Sequence, residues 1–285
     1  GVGREALHYV IGSSNTAVGY QSLFDNTTGA NNTAVGKGAG ANITTGSSNT
    51  AIGDNALAAS TTNDNLTAVG CNALATVGTH NTSNATAVGY NALTALTTGD
   101  YNAAFGYLTM DVHTTGHYCA AFGTGALGLS TSGASNTAVG EAAMRALTTG
   151  DGNTGVGAAC QDGALTGDFN TAMGYLAARG ITSGTLNTSI GYQAGQSSVA
   201  ITTGQKNVCV GAHTHTSATG STFQTVLGYD AVGSADNSLT FGASGTDSAI
   251  AYGATSITAP SDLRMKEDIE DAEAGQVSYP WTSSD

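Results

Sequence analysis

Asn32-Thr33-Ala34-Val35-Gly36-Lys37-Gly38-Ala39-Gly40-Ala41-Asn42-Ile43-Thr44-Thr45-Gly46-Ser47-Ser48 decides the fold, because the residues after it begin the same phrase again. Asn136 to Gly152 is a second clear copy. The shared unit reads Asn-Thr-Ala-Val-Gly-x-x-Ala-Leu-x-x-x-Thr-Thr-Gly-x-x. Its apolar-Gly step recurs at Gly19, Gly36, Gly53, Gly70, Gly89, Gly106, Gly123, Gly140, Gly157, Gly174, Gly191, Gly211, Gly228 and Gly242. Ten of the thirteen intervals are 17 residues; the others are 19, 20 and 14. A partial copy opens the chain at Val2-Gly3. A fixed period of this size marks an array of near-identical stacked units.

Each unit holds a short extended stretch ending in Val-Gly, a second short stretch around Ala-Leu, and a turn at Thr-Thr-Gly. β-Branched residues favour the pleated strand, and Gly supplies the positive φ of sharp corners. Helical periodicity is absent until the last 25 residues. The expected fold is all-β, a parallel β-solenoid (β-roll) of about 15 coils with a mostly 17-residue repeat. Coils stacked about 4.8 Å apart would make a rod of roughly 70 Å. One coil buries too little apolar surface to offset its own ordering entropy, so stability has to come from stacking. Asn recurs four residues before the glycine, as at Asn15, Asn32, Asn49, Asn102, Asn136, Asn153, Asn170, Asn187 and Asn207, and predicts an amide ladder.

The two faces of the strand are both uncharged. The residue before each glycine is always Val, Ile, Phe, Met or Leu. The one before that points to the opposite face and is nearly always Ala, as at Ala17, Ala34, Ala51 and Ala138. One face is therefore expected inside the coil and the other against a neighbouring chain. Close backbone approach through alanine would make the oligomer.

Composition narrows the function. Of 285 residues 41 are Gly, charged residues are 9%, and the net charge is −13. Low charge argues against disorder, and the missing basic footprint argues against nucleic acid. No run of 18 apolar residues exists, so membrane insertion is not expected. The chain starts at Gly1 without Met or a signal-like segment, which suggests a fragment or a processed product. Cys71, Cys119, Cys160 and Cys209 fall at four different phases and suggest no disulfide framework. Cys160 and Cys209 replace repeat alanines, so small-residue packing is their expected role.

Asn-Thr-Ala-Val-Gly-x-x-Ala-Leu resembles the head-domain repeat of trimeric autotransporter adhesins over about residues 1–255. The resemblance implies left-handed parallel β-rolls packed as a homotrimer. The 17-residue period is longer than that family's coil, which implies an enlarged Thr-Thr-Gly corner. A second resemblance lies in residues 256–285, at Ser261-Asp262-Leu263-Arg264-Met265-Lys266-Glu267-Asp268-Ile269. Ser-Asp-x-Arg-x-Lys-x-x-Ile is similar to the start of the self-cleaving intramolecular chaperones that end phage tail fibres and tailspikes. That implies Ser261 as nucleophile, Lys266 as its base, and cleavage after Pro260. A lysine serves as base only when burial neutralises it. A helix N-terminus capped by Ser261 or Asp262 is the other reading.

Three further groups are candidates. Tyr20, Tyr90, Tyr107, Tyr175, Tyr192 and Tyr229 share the phase directly after the glycine. They either stack on one another or offer their faces to host glycans. His213 and His215 would lie on one side of a strand, where a threefold assembly could gather them around a metal ion on its axis; solvent exposure in an inserted loop is the alternative. His113 and His117 flank a Thr-Thr-Gly turn. Asp64, Asp100, Asp151 and Asp168 read as exposed turn residues rather than a calcium cage. No catalytic constellation and no cofactor-binding motif occurs in the array. The expected role is an extracellular fibre segment, the shaft or attachment part of a trimeric, phage-like tail fibre. Its partners would be itself and a host-surface glycan or protein receptor. A cell-surface adhesin or extracellular filament subunit is the alternative. Enzymatic activity is expected only as self-cleavage, and only with a complete chaperone.

Overall fold

The structure, a computed structural model, describes residues 1–77, 84–163, 166–196, 200–243 and 248–251. Twelve three-residue strands run from β1 (Thr16–Val18) to β12 (Val208–Val210), followed by β13 (Gln224–Tyr229), β14 (Ser238–Ala243) and β15 (Ser248–Ala251). They form one 15-stranded sheet in strict chain order. Neighbours pair in parallel from β1 to β14, and identical phases face each other, as in Thr16↔Thr33, Ala17↔Ala34 and Val18↔Val35. An isolated bridge between Val2 and Val18 adds the partial coil before β1. β15 turns back and pairs antiparallel with β14. The expected parallel β-solenoid is present, with one strand per coil and no helix among the described residues.

The Val-Gly step explains the corner at the end of each strand. Gly36 has φ 138, and a Cβ there would stand 2.3 Å from the Gly53 carbonyl oxygen in the next coil. Both the backbone conformation and the stacking distance therefore require glycine.

The stretch around Ala-Leu forms no strand. Alternate residues sit in the left-handed region, including Gln21 and Leu23, Asn55 and Leu57, and Leu108 and Met110. Their hydrogen bonds alternate too. Ala126 and Gly128 donate within their own coil, to the Gly123 and Gly125 carbonyls at 3.4 and 3.1 Å. Gly125 donates to Tyr107 of the preceding coil at 2.9 Å, and Leu127 to Ala143 of the following one at 3.0 Å. Each left-handed Leu costs about 1–2 kcal/mol of backbone strain. In exchange its side chain turns inward, and Leu23, Leu57, Leu93 and Leu127 are fully buried. A second interior row, Ile43, Leu96, Leu147 and Ile181, fills the corner before Thr-Thr-Gly.

From Ala17 to Ala172 these rows leave room for little more than a methyl beneath the strand, and farther along Ser189, Cys209 and Val226 fill the same buried position. Ala17, Ala34, Ala51, Ala68, Ala87, Ala104, Ala121, Ala138 and Ala172 are buried inside their own coils. The alanine face is thus the core face, not the contact with a neighbouring chain expected from the sequence. Gly155 shows how tight the fit is: it breaks the alanine row where a Cβ would meet the Met144 side chain at 2.9 Å and Cys160 Sγ at 3.0 Å.

The asparagines lock strand to corner. Asn32 Nδ2 donates to the Gly46 carbonyl at 2.8 Å, and its Oδ1 accepts the Asn49 backbone N–H at 2.9 Å. The pattern repeats along the buried row, so the expected ladder is real, but its rungs run to backbone as well as to one another. Cys119 stands in this row, where its thiol donates to the Gly133 carbonyl at 3.2 Å.

Candidate binding surface

Outside the sheet, each three-residue strand shows its first and third residues to solvent and buries the middle one. The third-residue row is apolar in every coil. Val18, Val35, Ile52, Phe122, Val139, Met173, Leu227 and Phe241 are 36–46% exposed. Phe105 and Phe122 stack on this face with ring centroids 4.8 Å apart and planes 5° off parallel. The row beside it carries Thr16, Thr33, Thr50, Thr137 and Thr171, with no charge. One side of the solenoid is therefore a flat, uncharged ribbon of Thr and branched apolar side chains.

The six tyrosines after the glycines are all exposed, and where two occupy adjacent coils they stack. Tyr90 and Tyr107 have centroids 5.4 Å apart and planes 13° off parallel; Tyr175 and Tyr192 are at 5.8 Å and 16°. Arg4 lies over the Tyr20 ring at 5.7 Å. A second aromatic row, not anticipated from the sequence, occupies the left-handed position just before the asparagine ladder. There Tyr101 and Tyr118 stack at 5.3 Å, and Lys206 Nζ sits 4.6 Å from the Phe223 ring. The available signal was weak: only Tyr101, Tyr118, Phe169 and Phe223 are aromatic at this phase, and only Tyr101 and Tyr118 fall in adjacent coils.

The histidines separate. His213, at φ 58, is wedged edge-on between Tyr192 and Tyr229, at 5.0 and 6.1 Å. His215 is 4% exposed and donates from Nδ1 to the Thr216 carbonyl at 3.0 Å. The left-handed turn at His213 breaks the alternation that would have put both rings on one side. His113 is a core residue: Nε2 donates to the Gly116 carbonyl and Nδ1 accepts from Ser130, both at 3.1 Å. Burial holds its pKa below the ordinary 6.5, opposed by those hydrogen bonds. Among the described residues, no three His, Cys, Asp or Glu side chains gather closely enough to hold a metal ion.

The corner aspartates bind backbone. Asp64, Asp151 and Asp168 accept the N–H groups of Ser47, Ala134 and Asp151 in the preceding coils at 2.7, 2.7 and 2.8 Å. Cys119, Cys160 and Cys209 are buried, unpaired thiols. Burial pushes Cys160 and Cys209 up to about 12, which keeps them protonated core fillers. Ser261 and Lys266 lie outside the described residues.

No protein-family model, curated protein or solved structure matches the chain.

Proposed function

We propose that the protein is a structural segment of an extracellular fibre, a stiff spacer assembled from copies of this chain. The observation that carries this reading is the uncharged ribbon on the outside of the sheet. A solitary solenoid in water gains only contacts along the row, such as the Phe105–Phe122 stack, from an apolar residue at all fourteen positions before the glycines. A second copy laid against the ribbon would bury the row along its whole length, about 60 Å at the spacing of stacked strands. The resemblance of the repeat to adhesin head domains supports a threefold arrangement. Residues 261–269 support a phage-like tail fibre over a cellular filament, with Ser261 cutting the chain after Pro260 once a whole chaperone has folded. A cell-surface adhesin is the second reading, favoured by the same repeat resemblance. It would carry a membrane anchor in place of a virion-binding segment.

Light scattering tests the assembly. Wild type should have the mass of three chains. Paired charges on the ribbon, Val35→Asp with Val139→Asp, should give monomers with an unchanged far-UV spectrum. A monomeric wild type would end the shared-ribbon reading. Intact mass of a chain with its complete chaperone, against Ser261→Ala, tests the cleavage separately.

A further inference from the structure

The regular flank of the solenoid is interrupted at one coil. In three consecutive coils the same three phases are occupied by Tyr107, Leu108 and Asp111; by Thr124, Gly125 and Gly128; and by Glu141, Ala142 and Arg145. The middle coil has glycine at two outward positions where its neighbours carry side chains, so it is recessed between them. A groove of about 310 Å³ results, floored by Gly125 and Gly128. A Cβ on Gly125 would meet nothing within 4 Å. Asp111 and Tyr107 wall it on one side, Glu141 and Arg145 on the other. The two walls are two coil spacings apart, about 10 Å.

The chemistry of the walls is specific. One face of Tyr107 is covered by Tyr90, stacked at 5.4 Å. Tyr107 is 52% exposed, and the next place in the stack is occupied only by Thr124. Thr124 is smaller than an aromatic ring, and a flat ring-sized ligand can lie against Tyr107 beside it. Around it stand two carboxylates that accept hydroxyl protons and a guanidinium that donates. Arg145 is already engaged by Asp162, Nε to Oδ1 at 3.4 Å, so the groove is electronegative and repels anions. Partial burial raises the Asp111 carboxyl above its ordinary value, as expected for a group set into the wall rather than projecting from it.

The geometry points to a carbohydrate subsite in which one neutral pyranose of a glycan stacks on Tyr107, rests on Gly125 and Gly128, and is hydrogen-bonded by Asp111, Glu141 and Arg145. Sugar C–H faces pack on aromatic rings, and vicinal hydroxyls suit carboxylate oxygens. Every wall residue comes from one chain, so the site does not depend on assembly, and its test is independent of the fibre reading.

The test exploits the repeat itself. Position 125 is held elsewhere by Asn55, Asn72 and Asn91 at φ 54, 56 and 52, close to the φ of 64 at Gly125. Gly125→Asn therefore fills the groove with a side chain the fold already accepts. Saturation-transfer NMR and titration calorimetry would use a panel of neutral hexopyranose and N-acetylhexosamine tetrasaccharides, with hexuronate oligomers as the anionic arm. Wild type should bind at least one neutral member. Gly125→Asn and Tyr107→Ala should each weaken it at least about tenfold without lowering Tm by more than Tyr175→Ala does. Tyr175→Ala should bind as wild type. No binding at millimolar sugar, binding that survives Gly125→Asn, or a preference for hexuronates would overturn the assignment.

Discussion

At the scale of single residues, burial decides roles that residue type leaves open. His113 occupies the interior row that holds Ile43, Leu96 and Leu147 in other coils. Burial favours the neutral imidazole there, with Nε2–H donating to the Gly116 carbonyl and Nδ1 accepting from Ser130. Its folded pKa is lowered, so the unfolded chain takes up a proton first, near 6.5, as pH falls. The native state therefore has its full stability above pH 6.5 and loses it progressively as pH falls towards the folded value. Tm should drop between pH 7.5 and 5.0, flasks buffered at about those values sufficing. His113→Leu should flatten that part of the profile. An unchanged slope would show that the imidazole is not the group responsible. Nothing in the sequence separated His113 from His117, which flanks the same corner but sits beside Asp100, Nδ1 to Oδ2 at 3.8 Å.

At the scale of the coil, the buried amide row and the threonine row look alike in sequence and differ in worth. Asn153 Oδ1 accepts the Asn170 backbone N–H at 2.9 Å and Gln161 Nε2 at 3.0 Å, while its Nδ2 donates to the Gly167 carbonyl at 2.8 Å. Asn153→Ala strands these partners away from water and should cost about 3 kcal/mol. Thr114 Oγ1 also bonds to the next coil, to the Thr131 carbonyl at 2.9 Å, but water can replace it at that exposed edge. Thr114→Val should cost under about 1 kcal/mol. Thermal and denaturant unfolding of both variants would show the gap, and equal losses would refute the distinction. The Asn, Gly and strand positions were legible because each recurs at one phase and obeys a local rule. The left-handed Leu positions were not, because Leu avoids that region in isolation, and only the hydrogen bonds between coils impose it. Nor did the sequence reveal which strand face is the core. Val and Ala are both apolar, and the answer depends on how much interior Leu23 and Ile43 have already filled. The groove at Gly125 was visible only as a departure from the repeat, and it needed the stacking register to acquire walls.

At the scale of the whole molecule, contacts run from each coil to the next in a sheet of strict chain order. Such a one-dimensional array should tolerate the loss of a whole unit but not of part of one. Deleting Thr33–Asn49 joins Asn32 to Thr50 and restores Asn-Thr-Ala at the seam. Each glycine that ends a strand still lies over the next such glycine, every asparagine over a carbonyl acceptor, and the ribbon stays unbroken. The shortened chain should be soluble, keep its far-UV spectrum and melt within a few degrees of wild type. Deleting only Thr33–Ala41 removes about half a turn, places Asn42 over strand threonine, and points the buried row outward. Glycine corners would then meet side chains where the fold leaves no room, as the 2.3 Å approach at Gly36 demonstrates. That variant should aggregate or melt far lower. Two deletions of equal consequence would mean that stability is spread across coils in some way other than through register with the nearest neighbour.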